Sequence, residues 1–191
     1  AAFTLAQYEP NYGDLAISFF EHFMSIADAL NGFEDSDSGL WDDEDGFYYD
    51  EIRSSDGAEI PLRVRSLVGL LPIVSAISLT ADQAERLADV APGVLGAIPA
   101  HLARHPKRAS LLPSRTLADG SEIRFFTLVP EDRLRRILAR MFDPAEFLSD
   151  FGIRSISRAH LDHPYVLETP RYHMTIQYEP AESSTGMFGG N

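Results

Sequence analysis

The most regular pattern in the chain is an apolar stripe between positions 14 and 30. Its members recur at steps of three and four residues: Leu15, Phe19, Phe23, Ile26 and Leu30. This spacing places them on one face of an α-helix. Asn31 and Gly32 follow, and glycine is the residue that most often ends a helix. The pattern predicts an amphipathic helix that ends at this point.

Residues 67–77 form the most apolar segment and leave almost no polar face on a helix. Because a helix that is apolar all round is normally surrounded by protein, we expect an inner helix that is buried on every side. The apolar stretch 67–79 contains Gly69, Pro72 and two serines. It is also shorter than the roughly 20 residues that cross a bilayer, so we expect no membrane span.

Shorter signals predict three more helices. Thr80 and Gln83 have the spacing of a capping box and open a helix that runs through Val90. A second helix is expected from about Gly93 to His105. A third is centred on residues 134–141, with three arginines on its opposite face that we interpret as solvated rather than anion-binding: Arg133, Arg136 and Arg140.

Turn residues between apolar and aromatic runs predict short antiparallel strands. The turns lie near Gly46, at Asp56–Gly57 and at Asp119–Gly120. Residues 149–191 are predicted to be a long elaborated loop region that contains a hairpin through Val166 and residues 174–176. Long loops inside compact proteins are usually functional.

The composition describes a folded and acidic protein. The 191 residues are 45% hydrophobic, which is enough to build a core. Sixteen basic and 29 acidic residues leave a formal charge of −13, which repels nucleic acids and anionic membranes, so we expect neither as a partner. A neutral ligand such as a sugar meets no such penalty.

Several kinds of chemistry have no support in the sequence. The absence of cysteine excludes disulfides, a thiolate nucleophile and zinc held by cysteine, but it does not identify the compartment. The localisation stays open, and of the compartments a soluble, cytoplasmic one is the favoured expectation. No phosphate loop, nucleophile elbow or dinucleotide fingerprint is present, so we expect no cofactor.

The order of five segments resembles glycoside hydrolase family 63 and its bacterial relatives, which include processing α-glucosidases and mannosylglycerate hydrolases. The segments are residues 19–23 (FFEHF), 39–50 (GLWDDEDGFYYD), 60–72 (IPLRVRSLVGLLP), 147–157 (FLSDFGIRSIS) and 178–191 (YEPAESSTGMFGGN). The third segment is the most specific, and the likeness covers nearly the whole chain.

This resemblance implies a mainly α fold, namely part of an (α/α)6 barrel with short β-hairpin insertions. Residues 1–191 would then be one piece of a single glycosidase domain that is truncated at both ends. Residues 149–191 would lie on the catalytic face. The rest of the barrel would be supplied by a longer chain or in trans.

The resemblance also implies an inverting hydrolase that acts on an α-glucoside or a related small glycoside. Such enzymes use an acid and a base about 6.5 to 9.5 Å apart, because a water must fit between them. The family's general acid precedes the stretch that resembles residues 1–30, and its base follows a segment beyond Asn191. We therefore expect no catalytic residue in this chain, and no hydrolysis by the chain alone.

The predicted substrate-binding residues lie at the start of the predicted inner helix and in the loop region 149–191. Arg65 and Ser66 precede the predicted inner helix, whose free N–H groups and positive dipole end can meet ligand oxygens. An ion pair between Arg65 and an acid of the neighbouring hairpin is an equally good interpretation. Arg154 and Ser155 carry the same two interpretations. Tyr178 and Glu182 belong to a loop that either covers a sugar or is an ordinary flexible end of the chain.

Two alternatives remain open. The chain can instead be a noncatalytic helical module that binds carbohydrate or protein through its Tyr- and Gly-rich loop. Continuation of the reading frame past Asn191 into a Trp-Arg-Gly segment would favour the enzyme.

The acidic segment 42–46 suits calcium, because clustered oxygen ligands and a glycine turn suit this cation. In the register of an EF-hand, however, Trp41 and Ile52 would occupy ligand positions, so we expect a solvated turn and no metal site.

Overall fold

The computed structural model describes residues 1–33, 39–53, 57, 59–169 and 173–180. The chain divides into two compact units. Unit 1 comprises Ala1–Gly39 and Ile73–Glu131, and unit 2 comprises Leu40–Pro72 and Asp132–Asn191. Each unit is therefore built from two separate stretches of the sequence.

Unit 1 contains four α-helices, two 3-10 helices and three strands among its described residues. The α-helices are α1 (Ala2–Ala6), α2 (Gly13–Asn31), α3 (Ala81–Val90) and α4 (Pro92–Arg104). The 3-10 helices span Pro10–Tyr12 and Pro106–Leu111, and the strands are β5 (Ala76–Thr80), β6 (Ser114–Thr116) and β7 (Glu122–Thr127).

The local signals for helices in unit 1 are confirmed. Helix α2 ends where the glycine signal placed its end, and Gly32 adopts the left-handed conformation with φ of 64°. Thr80 and Gln83 form the predicted capping box of α3, with each side chain bonded to the other residue's backbone N–H. Both features depend on residues close together in sequence, which explains why the sequence predicts them well.

The three strands of unit 1 form an antiparallel sheet in the order β5-β7-β6. Strand β7 lies in the centre, and Ile77 of β5 pairs with Phe126 of β7. The turn predicted at Asp119–Gly120 joins β6 to β7, and Gly120 has φ of 84°. A core of small and aliphatic side chains packs helices α1 to α4 together: Ala6, Ala16, Leu87, Ala91 and Val94.

Unit 2 consists mainly of paired strands. The strands preceding residue 72 are β1 (Trp41–Asp42), β2 (Phe47–Tyr48), β3 (Asp50–Arg53) and β4 (Glu59–Leu62). Helix α5 (Glu131–Met141) begins at the unit boundary, and β8 (Leu148–Ser149), β9 (Gly152–Ile153), a 3-10 helix (Arg158–Leu161), β10 (Tyr165–Glu168) and β11 (His173–Ile176) follow.

The strands of unit 2 pair with their neighbours in sequence, as β1-β2, β3-β4, β8-β9 and β10-β11. The first, second and fourth of these pairs are the hairpins that the sequence predicts. Asp56 of the second turn lies outside the described residues, whereas Gly57 has φ of 87°. Val64, Ile156, Ile176 and Tyr178 form a core cluster of this unit.

The expectation of a mainly α fold, a partial (α/α)6 barrel with hairpin insertions, is wrong. About 47% of the described residues are helical and 24% are in strands. The strands form five small antiparallel sheets in the part of the chain that the structure describes. The fold is therefore a mixed α/β fold rather than a ring of paired helices.

The segment predicted to be a buried inner helix shows where that expectation fails. Residues Leu67–Val74 form a 3-10 helix, and the chain then enters strand β5. Leu71 is 50% exposed and Val74 is 74% exposed, so the segment is not buried on all sides. Pro72 has no backbone N–H, and the β-branched residues that follow favour an extended strand.

Among the described residues, no helix is both long and apolar enough to cross a membrane.

Candidate functional site

Two backbone stretches of unit 2 meet at the residues that the sequence predicts to bind substrate. Ser66 and Ile156 form an isolated antiparallel bridge. The N–H of Leu67 donates to the carbonyl of Ser155 at 2.8 Å, and the N–H of Ser157 donates to the carbonyl of Arg65 at 2.8 Å. These bonds bring residues 65–66 beside residues 154–155, although about 90 positions separate them in sequence.

The guanidinium of Arg65 lies at the centre of a polar cluster. Its Nη1 donates to Glu146 Oε1 at 2.9 Å, and its Nη2 donates to Asp45 Oδ1 at 2.8 Å. Its Nε is 3.4 Å from the hydroxyl oxygen of Tyr49. The Arg65 side chain is 22% exposed, so the cluster is reachable from solvent. We call these residues, with Arg140, the Arg65 cluster.

Arg140 of α5 completes the Arg65 cluster. Its Nη1 donates to Glu146 Oε1 at 2.5 Å, and its Nε donates to the backbone carbonyl of Asp45 at 3.0 Å. The second carboxylate oxygen of Glu146 accepts a hydrogen bond from the buried hydroxyl of Ser157. Glu146 therefore holds two arginines and a serine at once, and its carboxylate has a fixed orientation.

The charges of the Arg65 cluster are stabilised by their neighbours. Burial by itself raises the pKa of Asp45, but hydrogen bonds from Tyr49 and Arg65 and the positive charges of Arg65 and Arg140 outweigh it and lower that pKa. Burial and the bond to Asp45 raise the pKa of Tyr49 to about 12. Asp45 is thus ionised and Tyr49 protonated at neutral pH.

Arg154 supports the backbone of unit 2. The side chain is buried and donates through Nη1 to the carbonyls of Pro144 at 3.0 Å and Glu146 at 3.2 Å, and also to the carbonyl of Leu148. Its Nε donates to the hydroxyl of Tyr178 at 3.2 Å. These contacts satisfy most donors of the guanidinium, so Arg154 positions the loop that carries Glu146.

Ser155 differs from its neighbours because its Oγ is buried and has no hydrogen-bond partner among the described residues. An unsatisfied buried hydroxyl is uncommon, since it costs the free energy of its lost hydration. Ser66 is also buried. Glu182, the remaining predicted site residue, lies outside the described residues.

His160 connects the Arg65 cluster to the last 3-10 helix. Its Nε2 accepts the backbone N–H of Arg65 at 2.9 Å, and its Nδ1 is 3.0 Å from the carbonyl oxygen of His163. The neutral ring with its proton on Nδ1 satisfies both contacts. Burial, followed by the charge of Arg65, lowers the pKa of His160 against the opposing contributions of His163 and Glu146.

The structure brings five predicted site residues into one unit: Arg65, Ser66, Arg154, Ser155 and Tyr178. It also shows the ion pair between Arg65 and an acid of the hairpin, the alternative that the sequence left open. The sequence did not single out Glu146, and Arg140 was interpreted as a solvated residue. A buried acid that lies 81 positions from its arginine leaves no local signal in one sequence.

The sequence suggested that the arginines of α5 are solvated, but in the structure they contact the hairpin of β1 and β2. Arg136 Nη2 donates to the backbone carbonyl of Asp43 at 2.6 Å. The guanidinium carbon of Arg133 lies 4.9 Å from the centre of the Trp41 ring, within the range of a cation–π contact. With the bond from Arg140 to Asp45, these contacts fix the hairpin that presents Asp45 to Arg65.

The Arg65 cluster offers fixed hydrogen-bonding groups in a partly open setting. Within the described parts of the chain, no group of three or more histidine or acidic side chains is arranged to hold a metal ion. The cluster's guanidinium, carboxylate and phenol groups are of the kinds that can orient a polar ligand. Because its carboxylates accept hydrogen bonds from arginines, they are better suited to binding a ligand than to donating a proton in catalysis.

The chain is similar to an uncharacterized protein of Saccharomyces cerevisiae, YMR196W, to which it is 34% identical over 206 residues. The match covers 100% of this chain but only 18% of the yeast protein. The chain thus spans less than a fifth of the length of the curated relative it matches. No family model matches the chain, and no solved structure matches it.

Proposed function

We propose that this chain supplies part of the carbohydrate-binding site of a glycoside hydrolase, with the Arg65 cluster as one polar wall. The observation that carries this proposal is that a single guanidinium is held between Asp45 and Glu146 at 2.8 and 2.9 Å while its side chain stays partly open. The ligand that we infer is a neutral glucoside or a related small glycoside.

Sugars need binding groups of this kind. Each hydroxyl both donates and accepts hydrogen bonds, so a site that combines arginine donors with carboxylate acceptors satisfies both functions. Side chains that already hold one another lose little conformational entropy when a ligand binds. The formal charge of −13 also imposes no electrostatic cost on an uncharged ligand.

The resemblance of residues 60–72 and 147–157 to family 63 glycoside hydrolases supports the same proposal. These two segments include Arg65 and Ser157, which contact each other through the backbone and share Glu146 as a partner. Two motifs that are distant in sequence thus meet at one cluster. The barrel architecture that the resemblance implied is not part of the proposal.

The chemical step is assigned to residues outside this chain. The resemblance implies an aspartic acid as general acid and a glutamate as general base, and neither has a counterpart here. Asp45 is the ionised partner of Arg65, so it is unsuited to the role of general acid at neutral pH. The role of this chain would be to bind and orient the sugar.

The proposal is tested by calorimetric titration of a panel of neutral α-glucosides and small disaccharides. The titrations use this chain and a longer polypeptide that contains it. Arg65→Lys keeps the positive charge but removes the planar fork that contacts two carboxylates, so we expect affinity to fall by about tenfold or more. Hydrolysis of the same panel should occur only with the longer polypeptide.

Arg63→Lys is the matched control. Arg63 is two residues away and pairs with Asp42 at 2.9 Å on a side chain that is 53% exposed, so this change should leave sugar affinity within about twofold. Equal binding by a folded Arg65→Lys variant, or no binding of any sugar to the longer polypeptide, would refute the proposal. Hydrolysis by the repurified 191-residue chain would refute the assignment of catalysis to other residues.

A further inference from the structure

A buried histidine of unit 1, His101 of helix α4, accepts a hydrogen bond from an arginine. His101 is 6% exposed, and its partner Arg108, in the 3-10 helix that follows, is 7% exposed. The Nη1 atom of Arg108 donates to the Nε2 atom of His101 at 2.9 Å. Because a guanidinium has donors and no acceptor, Nε2 must be the accepting atom. The contact therefore requires a neutral imidazole that carries its proton on Nδ1.

This contact joins three elements of unit 1, namely α4, α2 and the 3-10 helix Pro106–Leu111. Arg108 also pairs through Nη2 with Oδ2 of Asp28 on α2 at 3.2 Å. The ring of Phe20, another residue of α2, meets the ring of His101 edge-on, with centres 5.3 Å apart. The pair of His101 and Arg108 thus helps to hold the 3-10 helix against its two neighbours.

Protonation of His101 would turn this attachment into a repulsion. The imidazolium has no acceptor left for Nη1 of Arg108, and two positive charges would then lie at hydrogen-bonding distance. Such a repulsion is large where both groups are buried, because little water lies between them to screen the charges. The neutral ring fits this position and the charged ring does not.

The other ionisable groups near the pair do not reverse this preference. They come from α4 and from α2, and they are Arg104, His105, Glu21 and Asp28. Burial is the main cause that lowers the pKa of His101 below its ordinary value of 6.5, and the charges of Arg108, His105 and Arg104 act in the same direction. Glu21 opposes them, and Asp28 is already the partner of Arg108.

We propose that His101 is an acid-sensitive latch, which holds the 3-10 helix Pro106–Leu111 against α4 and α2 when it is neutral and releases it when it is protonated. Release lets the imidazolium and the guanidinium of Arg108 separate and become hydrated. Opening therefore becomes more favourable as the pH falls below about 6.5, since the opened segment binds the proton more readily. This inference rests on unit 1 alone and does not depend on the proposed sugar site.

Hydrogen–deuterium exchange of the 191-residue chain, detected by NMR at about pH 7.5 and about pH 5, tests the proposal. The reporters are the backbone N–H groups of Arg108 and Leu112, each of which donates to a carbonyl three residues earlier. A synthetic peptide of residues 99–113 corrects for the intrinsic pH dependence of exchange. Linkage to one proton changes the opening equilibrium by up to about tenfold per pH unit, so we expect protection to fall about fivefold or more.

Two histidine variants show whether His101 causes this loss of protection. His101→Gln keeps a neutral acceptor at about the reach of Nε2 but does not titrate, so its protection should change less than about twofold between the two pH values. His105→Gln is the matched control: it removes a histidine one turn along the chain, with a ring centre 4.8 Å from that of His101, and should retain the loss. A folded His101→Gln protein that loses protection as the wild type does would overturn the proposal.

Two results on the wild-type protein need no variant. An NMR titration of the His101 ring should show the Nδ1–H tautomer at neutral pH and a midpoint below 6.5, and a midpoint at or above 6.5 would overturn the latch. The N–H groups of α3 should keep their protection at about pH 5. An equal loss in α3 would show that the whole unit opens together, and the proposal of a local latch would be wrong.

Discussion

The Nε atom of Arg154 donates a hydrogen bond to the hydroxyl of Tyr178 at 3.2 Å, and the same guanidinium lies 5.7 Å from the centre of the Tyr178 ring. Tyr178 is also a member of the buried cluster of unit 2. One tyrosine thus contributes a packed ring to the core and an acceptor to a buried cation.

Tyr178→Phe separates these two contributions. The ring remains, but Arg154 loses a hydrogen bond in a buried setting, so the free energy of unfolding should fall by roughly 1–3 kcal/mol. Urea unfolding followed by the fluorescence of the single tryptophan, Trp41 of the same unit, measures this loss. Tyr165→Phe is the control, since the Tyr165 hydroxyl makes an exposed bond to the carbonyl of Pro61 and its removal should cost less than about 0.5 kcal/mol. Equal losses for the two variants would contradict the role given to Tyr178.

Gly69 is required because the Phe47 ring and the carbonyl of Tyr48 occupy the position that a Cβ would take. The Phe47 ring is fully buried and stacks on Phe147 with centres 5.8 Å apart, so it has little room to move. Gly69→Ala should therefore lower the free energy of unfolding by about 1–3 kcal/mol. Chemical unfolding followed by circular dichroism measures the change.

The control for this substitution is Gly96→Ala. Apart from its chain neighbours and the backbone of its own helix, no atom lies within 4 Å of the position that a Cβ would take at Gly96, which is in the interior of helix α4. Alanine should leave stability unchanged or raise it by up to about 1 kcal/mol, because it is the better helix former. A Gly69→Ala protein as stable as the wild type would show that Phe47 moves aside.

His160 makes the stability of the protein depend on pH in a defined direction. Its folded-state pKa lies below the ordinary value of 6.5, so between those two values the unfolded chain binds the proton more readily. The stabilising contribution of neutral His160 is therefore present above about pH 6.5 and is lost as the pH falls below it. Protonation also removes the Nε2 acceptor from the backbone N–H of Arg65.

Urea unfolding at a series of pH values between 5 and 8 tests this prediction. His160→Gln should show a smaller decline in stability below pH 6.5 than the wild type, because glutamine does not titrate. His22→Gln should retain the decline of the wild type, since His22 is exposed. An unchanged decline in the His160→Gln protein would assign the pH dependence to another group.

The secondary structure of residues 67–77 could not be decided from their apolar pattern. A run made almost entirely of apolar residues is compatible with a buried helix and with a strand, because neither leaves a polar face to reveal its period. The run is in fact divided: residues Leu67–Val74 form a 3-10 helix, and pairing with β7 through contacts such as Ile77 with Phe126 makes the end of the run part of a strand. The expected burial of this run rested on its hydrophobicity alone. Hydrophobicity does not specify which other residues pack against a segment, and several side chains of this run are exposed.

By itself, the sequence determined the features that depend on neighbouring residues. Helix α2 with its end at Gly32, the capping box of Thr80 and Gln83, and the hairpins at Gly46 and Gly120 all arise from interactions within a few positions. Such interactions favour the same local conformation whatever the rest of the chain does.

Only the tertiary structure decided which distant groups meet. Arg65 binds Glu146 across 81 positions and shares its carboxylate with Arg140 of α5, and a mixed α/β fold replaces the expected helical barrel. The free energy of such contacts depends on burial and on several partners held in place at once. A charge pattern along the chain records which groups are available but not which of them the packing brings together.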